Sequence, residues 1–200
     1  MLWLAAAPLV LASRSKVRRA LLEAAGIPVE ISPADIDERA IAVGGPTDPA
    51  DTAALLAQEK AAVIARAKPR GIVLGADQTL AFGGRQLHKP SGRGGAADQL
   101  WMLRGHTHAL HSAVALMRGD ELLFTHVAVA RLTMRNFSED FLARYLDAAS
   151  EDALHSVGAY QLEGMGSHLF ERVEGDYFTV LGLPLLPLLD FFRRDGWVAG

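Results

Sequence analysis

Between Pro8 and Gly26 the chain reads PLVLASRSKVRRALLEAAG, an apolar run that passes straight into a basic helical pattern through two serines. A strand feeding a helix without a spacer is the opening unit of an α/β layer. Val17, Ala20, Leu21 and Ala24 recur at helical spacing, with Ser15 available as N-cap and Gly26 as a left-handed stop. The junction therefore gathers hydroxyls, backbone N–H groups and Arg14, Arg18 and Arg19 at one helix N-terminus, a chemistry suited to an anion and above all to phosphate. The arginines alone are better explained by a solvated basic face, so partners elsewhere in the chain decide between the two readings.

The rest of the chain alternates in the same way. A strand near Val29 to Ile31 precedes the acidic stretch ADIDER and the glycine loop VGGPTDP, after which Asp48 and Pro49 start an alanine-rich helix running to about Lys68. GIVLGADQTLAF reads as a buried strand that breaks at Ala76-Asp77, with Gly83-Gly84 turning a hairpin toward RQLHKP. A helix around Ala96 to Leu103, two long strands joined at Gly119-Asp120, and a helix capped by Ser138 follow. A final hairpin is expected around Gly175-Asp176, and Pro184 opens the last helix. The fold class is α/β, a mixed twisted sheet with flanking helices.

Composition narrows the function. With 200 residues at 50% hydrophobic content the chain suits one globular domain, or two lobes sharing a sheet. A net charge of −3 disfavours a nucleic-acid-coating surface, and no apolar stretch reaches the roughly 20 residues that span a bilayer. The apolar start lacks a charged n-region and contains Pro8, so it reads as a buried first strand and not as a signal peptide. Zero cysteines removes disulfides and thiolate metal sites and fits a cytoplasmic setting. Neither glycine fingerprint of P-loop or Rossmann modules is present.

Two residues break the apolar pattern. On the alanine-rich helix Leu56, Lys60, Val63, Ile64 and Ala67 share one side, so Lys60 sits in the inward stripe and either snorkels or meets an anion. Asp77 leaves an apolar strand after Gly75-Ala76, where open α/β sheets place ligands and where a turn-capping aspartate is the plainer alternative. Glu38 and Lys89 add a second carboxylate and a second ammonium. Two carboxylates suit a hard divalent ion such as Mg²⁺, and Lys60, Lys89 and Arg18 suit the phosphates such an ion bridges.

Six ordered segments, LASRSKVRRALLEAAGI, ADIDE, AQEKA, GADQTLAFGGRQLHKP, VGAYQLEGMGSHLFERVEGDY and VLGLPL, resemble the successive motifs of the Maf family of nucleoside triphosphate pyrophosphatases over nearly the whole chain. The resemblance implies an ITPase-like (Maf/Ham1-type) fold forming a single domain, 1–200, of two lobes with a central cleft, often a homodimer. It implies hydrolysis of nucleotides to a monophosphate and pyrophosphate. Carried over by position, Ser13 and Arg18 bind phosphate, Glu38 and Asp77 hold Mg²⁺ or Mn²⁺, Asp77 also accepts the proton of the attacking water, and Lys60 and Lys89 neutralise the triphosphate. The expected partner is a nucleoside triphosphate, with no nucleic acid polymer and no membrane. The family's historical name points instead to a nucleotide-binding regulator of septum formation without turnover.

Substrate choice in the family resembles a readout at positions that here are Val17, Gln78 and Glu163. Gln78 with Glu163 resembles the branch preferring 7-methyl-GTP, whereas the branch acting on dTTP and UTP shows threonine and glutamine. A carboxylate suits guanine N–H donors and the charge of a methylated purine. The chain departs from the pattern twice: Lys16 replaces the family's proline, and Val17 stands where the 7-methyl-GTP branch tends to carry tryptophan. His106, His108 and His111 do not make a metal cluster, because strand alternation splits them between two faces. Tyr160 and Phe170 read as core or wall, Trp101 as a packing residue, and Glu171 as part of an exposed hairpin, with an approach to the metal as its other reading.

Overall fold

The serine junction forms where its sequence places it. In the computed structural model, which describes residues 2–200, β1 (Leu9–Leu11) is buried throughout and α1 (Lys16–Ala24) follows, Ser15 Oγ accepting from the Arg18 N–H at 3.2 Å. Gly26 closes the helix at φ 76°. β2 (Val29–Ile31) comes next, and the acidic stretch ADIDER runs without regular structure to Asp37, which caps a short helix, α2 (Glu38–Val43). Asp48 and Pro49 begin α3 (Pro49–Ala67) as expected. β3 (Val73–Phe82) and β4 (Arg85–Leu87) pair as a hairpin over Gly83 and Gly84, both at positive φ. Then follow α4 (Gly92–Leu103), β5 (Thr107–Arg118), β6 (Glu121–Met134), α5 (Glu139–Ala148), α6 (Glu151–Leu154), β7 (Phe170–Glu174), α7 (Tyr177–Val180) and α8 (Leu185–Arg194).

The strands pair in the order β2-β1-β3-β5-β6-β7, with β4 on β3. β1 runs parallel to β2 and β3, while β4 and β7 pair antiparallel to β3 and β6, so the sheet is mixed. The chain divides into two compact units. One comprises 1–78, 112–128 and 182–200, and the other 79–111 and 129–181. In the first, Val10, Ala12, Val73, Ala113 and Ala115 of the strands and their flanks pack with Ala53, Ala57, Ala61 and Ala65 of α3. In the second, Leu80, Leu100, Leu103, Leu110, Leu132, Tyr145 and Tyr160 form a separate core. No helix of the described residues is long and apolar enough to cross a membrane.

Several expectations need correction. The strand at Asp77 does not break. Only β1 stops: it pairs with β3 as far as Leu11 and Leu74, so β3 carries Ala76 and Asp77 past the carboxyl end of its parallel neighbour. Val63 and Ala67 are exposed, because the inward face of α3 is set by Ala53, Ala57 and Ala61 against β3 and takes in Leu56, Lys60 and Ile64. The final hairpin is absent: β7 pairs back on β6, and Asp176 caps α7 by accepting from the Thr179 N–H at 3.0 Å, which turns DYFTV into a helix. The first strand is short, with Trp3 bridging Val198 near the other terminus. Trp101 is half-exposed, the Arg104 guanidinium lying 4.3 Å from its ring.

The contact of α3 with β3 depends on one glycine. A Cβ at Gly75 would stand 2.0 Å from the Ala57 carbonyl and 2.8 Å from the Ala61 nitrogen, so only glycine lets an alanine-rich helix sit directly on the strand. Gly75→Ala is expected to cost about 3 kcal/mol or to prevent folding, since the clash is with backbone. A urea midpoint equal to that of the parent would contradict this.

His108 in the second unit is 2% exposed, with Nε2 2.7 Å from the Tyr160 hydroxyl. Burial pulls its imidazole from 6.5 down to about 4. Between those values the unfolded chain binds the extra proton and the folded chain does not, so stability falls as pH drops through this window. The His108 contribution amounts to about 3 kcal/mol. Equilibrium unfolding of the parent and of His108→Gln across this range should show the steeper loss in the parent, and identical pH dependences would refute the assignment.

Candidate active site

The first unit builds its polar centre from four segments. α1 presents Arg18 on the same side as Leu21, Leu22 and Ala25, so this arginine points inward and not off the apolar stripe. Its Nε donates to the Gly182 carbonyl at 2.8 Å, and Nη1 donates to the Ala76 carbonyl at 2.8 Å and to Ser13 Oγ at 3.3 Å. Ser13 Oγ also accepts from the Ser15 N–H at 3.2 Å, which leaves its own proton for donation. Arg18 thus ties the serine junction to the strand residue immediately before Asp77 and to the turn at Gly182.

Gly182 has φ 85°, and a Cβ there would lie 3.2 Å from an Arg18 nitrogen. The positive φ favours glycine at the position, and a Cβ would also press on the guanidinium. Burial lowers the Arg18 pKa, and the charges of Asp77 and Glu38 oppose that shift. The guanidinium remains a cation, as arginine does throughout proteins.

α3 and β3 supply the second half. Lys60 and Asp77 are 9% and 8% exposed. Lys60 Nζ donates to Asp77 Oδ1 at 2.6 Å and stands 2.7 Å from Glu38 Oε1, so one ammonium bridges two carboxylates. Lys60 therefore meets an anion and does not snorkel. Glu38, half-exposed at the first turn of α2, is brought here by the helix that Asp37 caps. Burial raises the Asp77 pKa, and it does so against Lys60 and Arg18, which pull it down. Glu38 adds to the upward push. A carboxylate kept in this balance is both desolvated and faced by cations, an environment typical of carboxylates at functional sites.

The remaining predicted residues come from both units. Val17 is half-buried on α1. Gln78 follows Asp77 on β3 and donates from Nε2 to Ser112 Oγ at 2.8 Å, which fixes its amide. Lys89 and Glu163 belong to the second unit. Lys89 is exposed just beyond β4, and Glu163 is exposed in the turn before a 3₁₀ segment, Met165–Leu169. That turn is tight: a Cβ at Gly166 would stand 2.4 Å from the Gln161 carbonyl. The structure thus gathers Ser13, Arg18, Glu38, Lys60 and Asp77 around connected bonds and carries Lys89 and Glu163 elsewhere on the chain.

Sequence reasoning missed the carbonyls of Ala76 and Gly182 as anchors and Gly75 as the spacer. The glycines in GADQ and VLGLPL were the available signals.

Among the described residues no group of three or more His, Cys, Asp and Glu side chains converges to hold a metal ion. The pair Glu38 and Asp77 nonetheless fits a hard divalent cation. Both offer carboxylate oxygens, one ammonium already bridges them, and Mg²⁺-type ions take one or two carboxylates and complete their shell with phosphates and water.

A mixed sheet, a serine-arginine junction and a desolvated carboxylate-ammonium cluster define a phosphate-handling α/β protein. The sequence pattern described as Maf-like protein matches residues 8–194, and the chain belongs to the Maf family. It is 55% identical over 199 residues to a nucleoside triphosphate pyrophosphatase of Rhodopseudomonas palustris strain HaA2, covering 99% of this chain and 98% of that one. It is also 49% identical over 195 residues to a 7-methyl-GTP pyrophosphatase of Rhizobium etli, covering 96% and 98%. A solved dITP/XTP pyrophosphatase from Mycobacterium abscessus aligns at a TM-score of 0.43 with 15% identity, covering 95% of both chains.

Because burial outweighs its cationic neighbours, the Asp77 charge is carried at a net cost in the ligand-free fold. Stability linked to its protonation is present at low pH and lost as pH rises through the raised pKa. Asp77→Asn, which keeps an acceptor for Lys60, is therefore expected to melt at the same temperature as the parent or higher at neutral pH. A clear drop in melting temperature would contradict this.

Proposed function

We propose that this chain hydrolyses the α-β phosphoanhydride of nucleoside triphosphates, releasing a nucleoside monophosphate and pyrophosphate with the help of a divalent cation. The observation that carries the reading is the buried Lys60 bridge between Asp77 and Glu38, set beside Arg18 in a chain of the Maf family. The names of its relatives support it.

The chemistry is charge placement. Hydrolysis concentrates negative charge on a pyrophosphate leaving group, and positioned cations lower that barrier more than a covalent nucleophile would. Ser13 donates its hydroxyl to a phosphate oxygen, and Arg18 keeps the junction and the strand before Asp77 in register. Lys60 and Lys89 neutralise the triphosphate, and Asp77 orients a water molecule and takes its proton. Glu38 and Asp77 would hold the divalent ion, which supplies further neutralisation of the phosphates.

The base is read, in this proposal, by Gln78 and Glu163, with Val17 beside the phosphate junction. A carboxylate at 163 accepts from the N–H donors of a guanine and offsets the positive charge of a 7-methylated ring. The relative from Rhizobium etli named 7-methyl-GTP pyrophosphatase supports this branch. Dimerisation of the chain and a cytoplasmic setting belong to the same proposal, as does the treatment of its two units as one functional domain.

Incubation with a nucleotide panel and Mg²⁺ or Mn²⁺ should release pyrophosphate, and Asp77→Asn should lower kcat on the order of a hundredfold while remaining folded. Release of orthophosphate alone, or undiminished turnover by the variant, would overturn the reading. Glu163→Gln should lower the 7-methyl-GTP to UTP ratio of kcat/KM by about tenfold, since one charged hydrogen bond distinguishes the two bases. An unchanged ratio would refute the base readout.

A further inference from the structure

We propose that Lys60 is an internal stand-in for the divalent ion: its ammonium holds Glu38 and Asp77 together in the ligand-free protein and passes them to the ion when it turns to a phosphate. The inference rests on the phosphohydrolase reading above.

The geometry carries it. Nζ lies 2.6 Å from Asp77 Oδ1 and 2.7 Å from Glu38 Oε1, so a single small cation already occupies the point on which both carboxylates converge. Two of the three ammonium donors are spent there. An arriving cation competes for the same oxygens and meets the ammonium's positive charge at close range. Both effects weaken its binding while Lys60 stays in place.

The surroundings decide what is able to move. Arg18 is fixed through Nε and Nη1 to three acceptors on separate segments. The α3 backbone is fixed by its contact with Gly75. The Lys60 head rides on a flexible four-carbon stem and reorients without disturbing either. A buried ammonium leaves two carboxylates only for another anion, because an unpaired charge in this setting is costly. The phosphate of a nucleotide is that anion. Cation and nucleotide are therefore thermodynamically coupled through one side chain, each improving the affinity for the other by the same factor.

The test measures Mn²⁺ binding by the electron paramagnetic resonance signal of the free ion, with the full chain and no nucleotide. Lys60→Met and Lys60→Gln are each expected to bind Mn²⁺ at least tenfold more tightly than the parent. An ammonium and a divalent ion a few ångströms apart repel by more than the 1.4 kcal/mol that a factor of ten represents. Adding a non-hydrolysable α,β-methylene triphosphate should tighten Mn²⁺ binding more in the parent than in either variant. Glu38→Gln introduced into Lys60→Met should abolish the gain.

Unchanged or weaker Mn²⁺ binding in a folded variant overturns the proposal, and Lys60→Gln decides the matter if Lys60→Met does not fold. A gain that survives Glu38→Gln also overturns it, since the ion would then lie elsewhere. The two readings fail separately. Pyrophosphate release without the gain refutes the exchange alone, and the gain without pyrophosphate release refutes the activity alone.

Discussion

One buried ammonium between two carboxylates is the interaction on which the polar centre of this protein depends. Lys60, Asp77 and Glu38 come from α3, β3 and α2, three elements that share no local sequence, and the buried Lys60 ammonium is tolerable there because both carboxylates face it. Burying the Lys60 ammonium alone would strand a charge away from water, at a cost of several kcal/mol. The fold must therefore deliver all three to the same point.

The supporting structure follows from that demand. Gly75 removes a side chain so that α3 reaches β3 and carries Lys60 close to the strand. β1 ends before Asp77, which frees the strand's polar edge beyond the last parallel pairing. Arg18 joins the serine junction, the Ala76 carbonyl and the Gly182 turn, so three distant segments share one guanidinium. A side chain with that many acceptors is better suited to holding geometry than to chasing a substrate, so under the proposed function phosphate contact falls to Ser13 and the two lysines.

Much of this was legible in the residues because local rules and tertiary demands agreed. Ser15, Asp48 and Ser138 cap the helices they precede, Gly83-Gly84 turns its hairpin, and Lys60 stands out as a cation in an apolar stripe. The failures occurred where tertiary context decided. The short helix that Asp37 starts carries too weak an apolar pattern to be expected from ADIDER, and the pattern at Val63 and Ala67 misjudged which side of α3 faces the strand. DYFTV has strong strand propensity, yet Asp176 supplies a cap and β7 finds its partner in β6, so the segment coils. The inward turn of Arg18 was invisible for a related reason: periodicity sorts residues by polarity, and an arginine whose acceptors are backbone carbonyls elsewhere in the chain carries no mark of them.

The site residues were chosen partly on chemistry and partly on resemblance to the Maf family, to which the chain belongs. Five of them share one connected network, while the residues proposed to read the base lie on exposed or half-buried positions where packing leaves side chains free to vary. The proposed function therefore rests its hydrolytic chemistry on the buried cluster and its base readout on these less constrained positions. The most direct test of the central claim, that water activated at the cluster attacks the α-phosphorus, is hydrolysis of a nucleoside triphosphate in ¹⁸O-water followed by mass spectrometry of both products. The account predicts the label in the nucleoside monophosphate and none in the pyrophosphate; label in pyrophosphate, or in released orthophosphate, would contradict it.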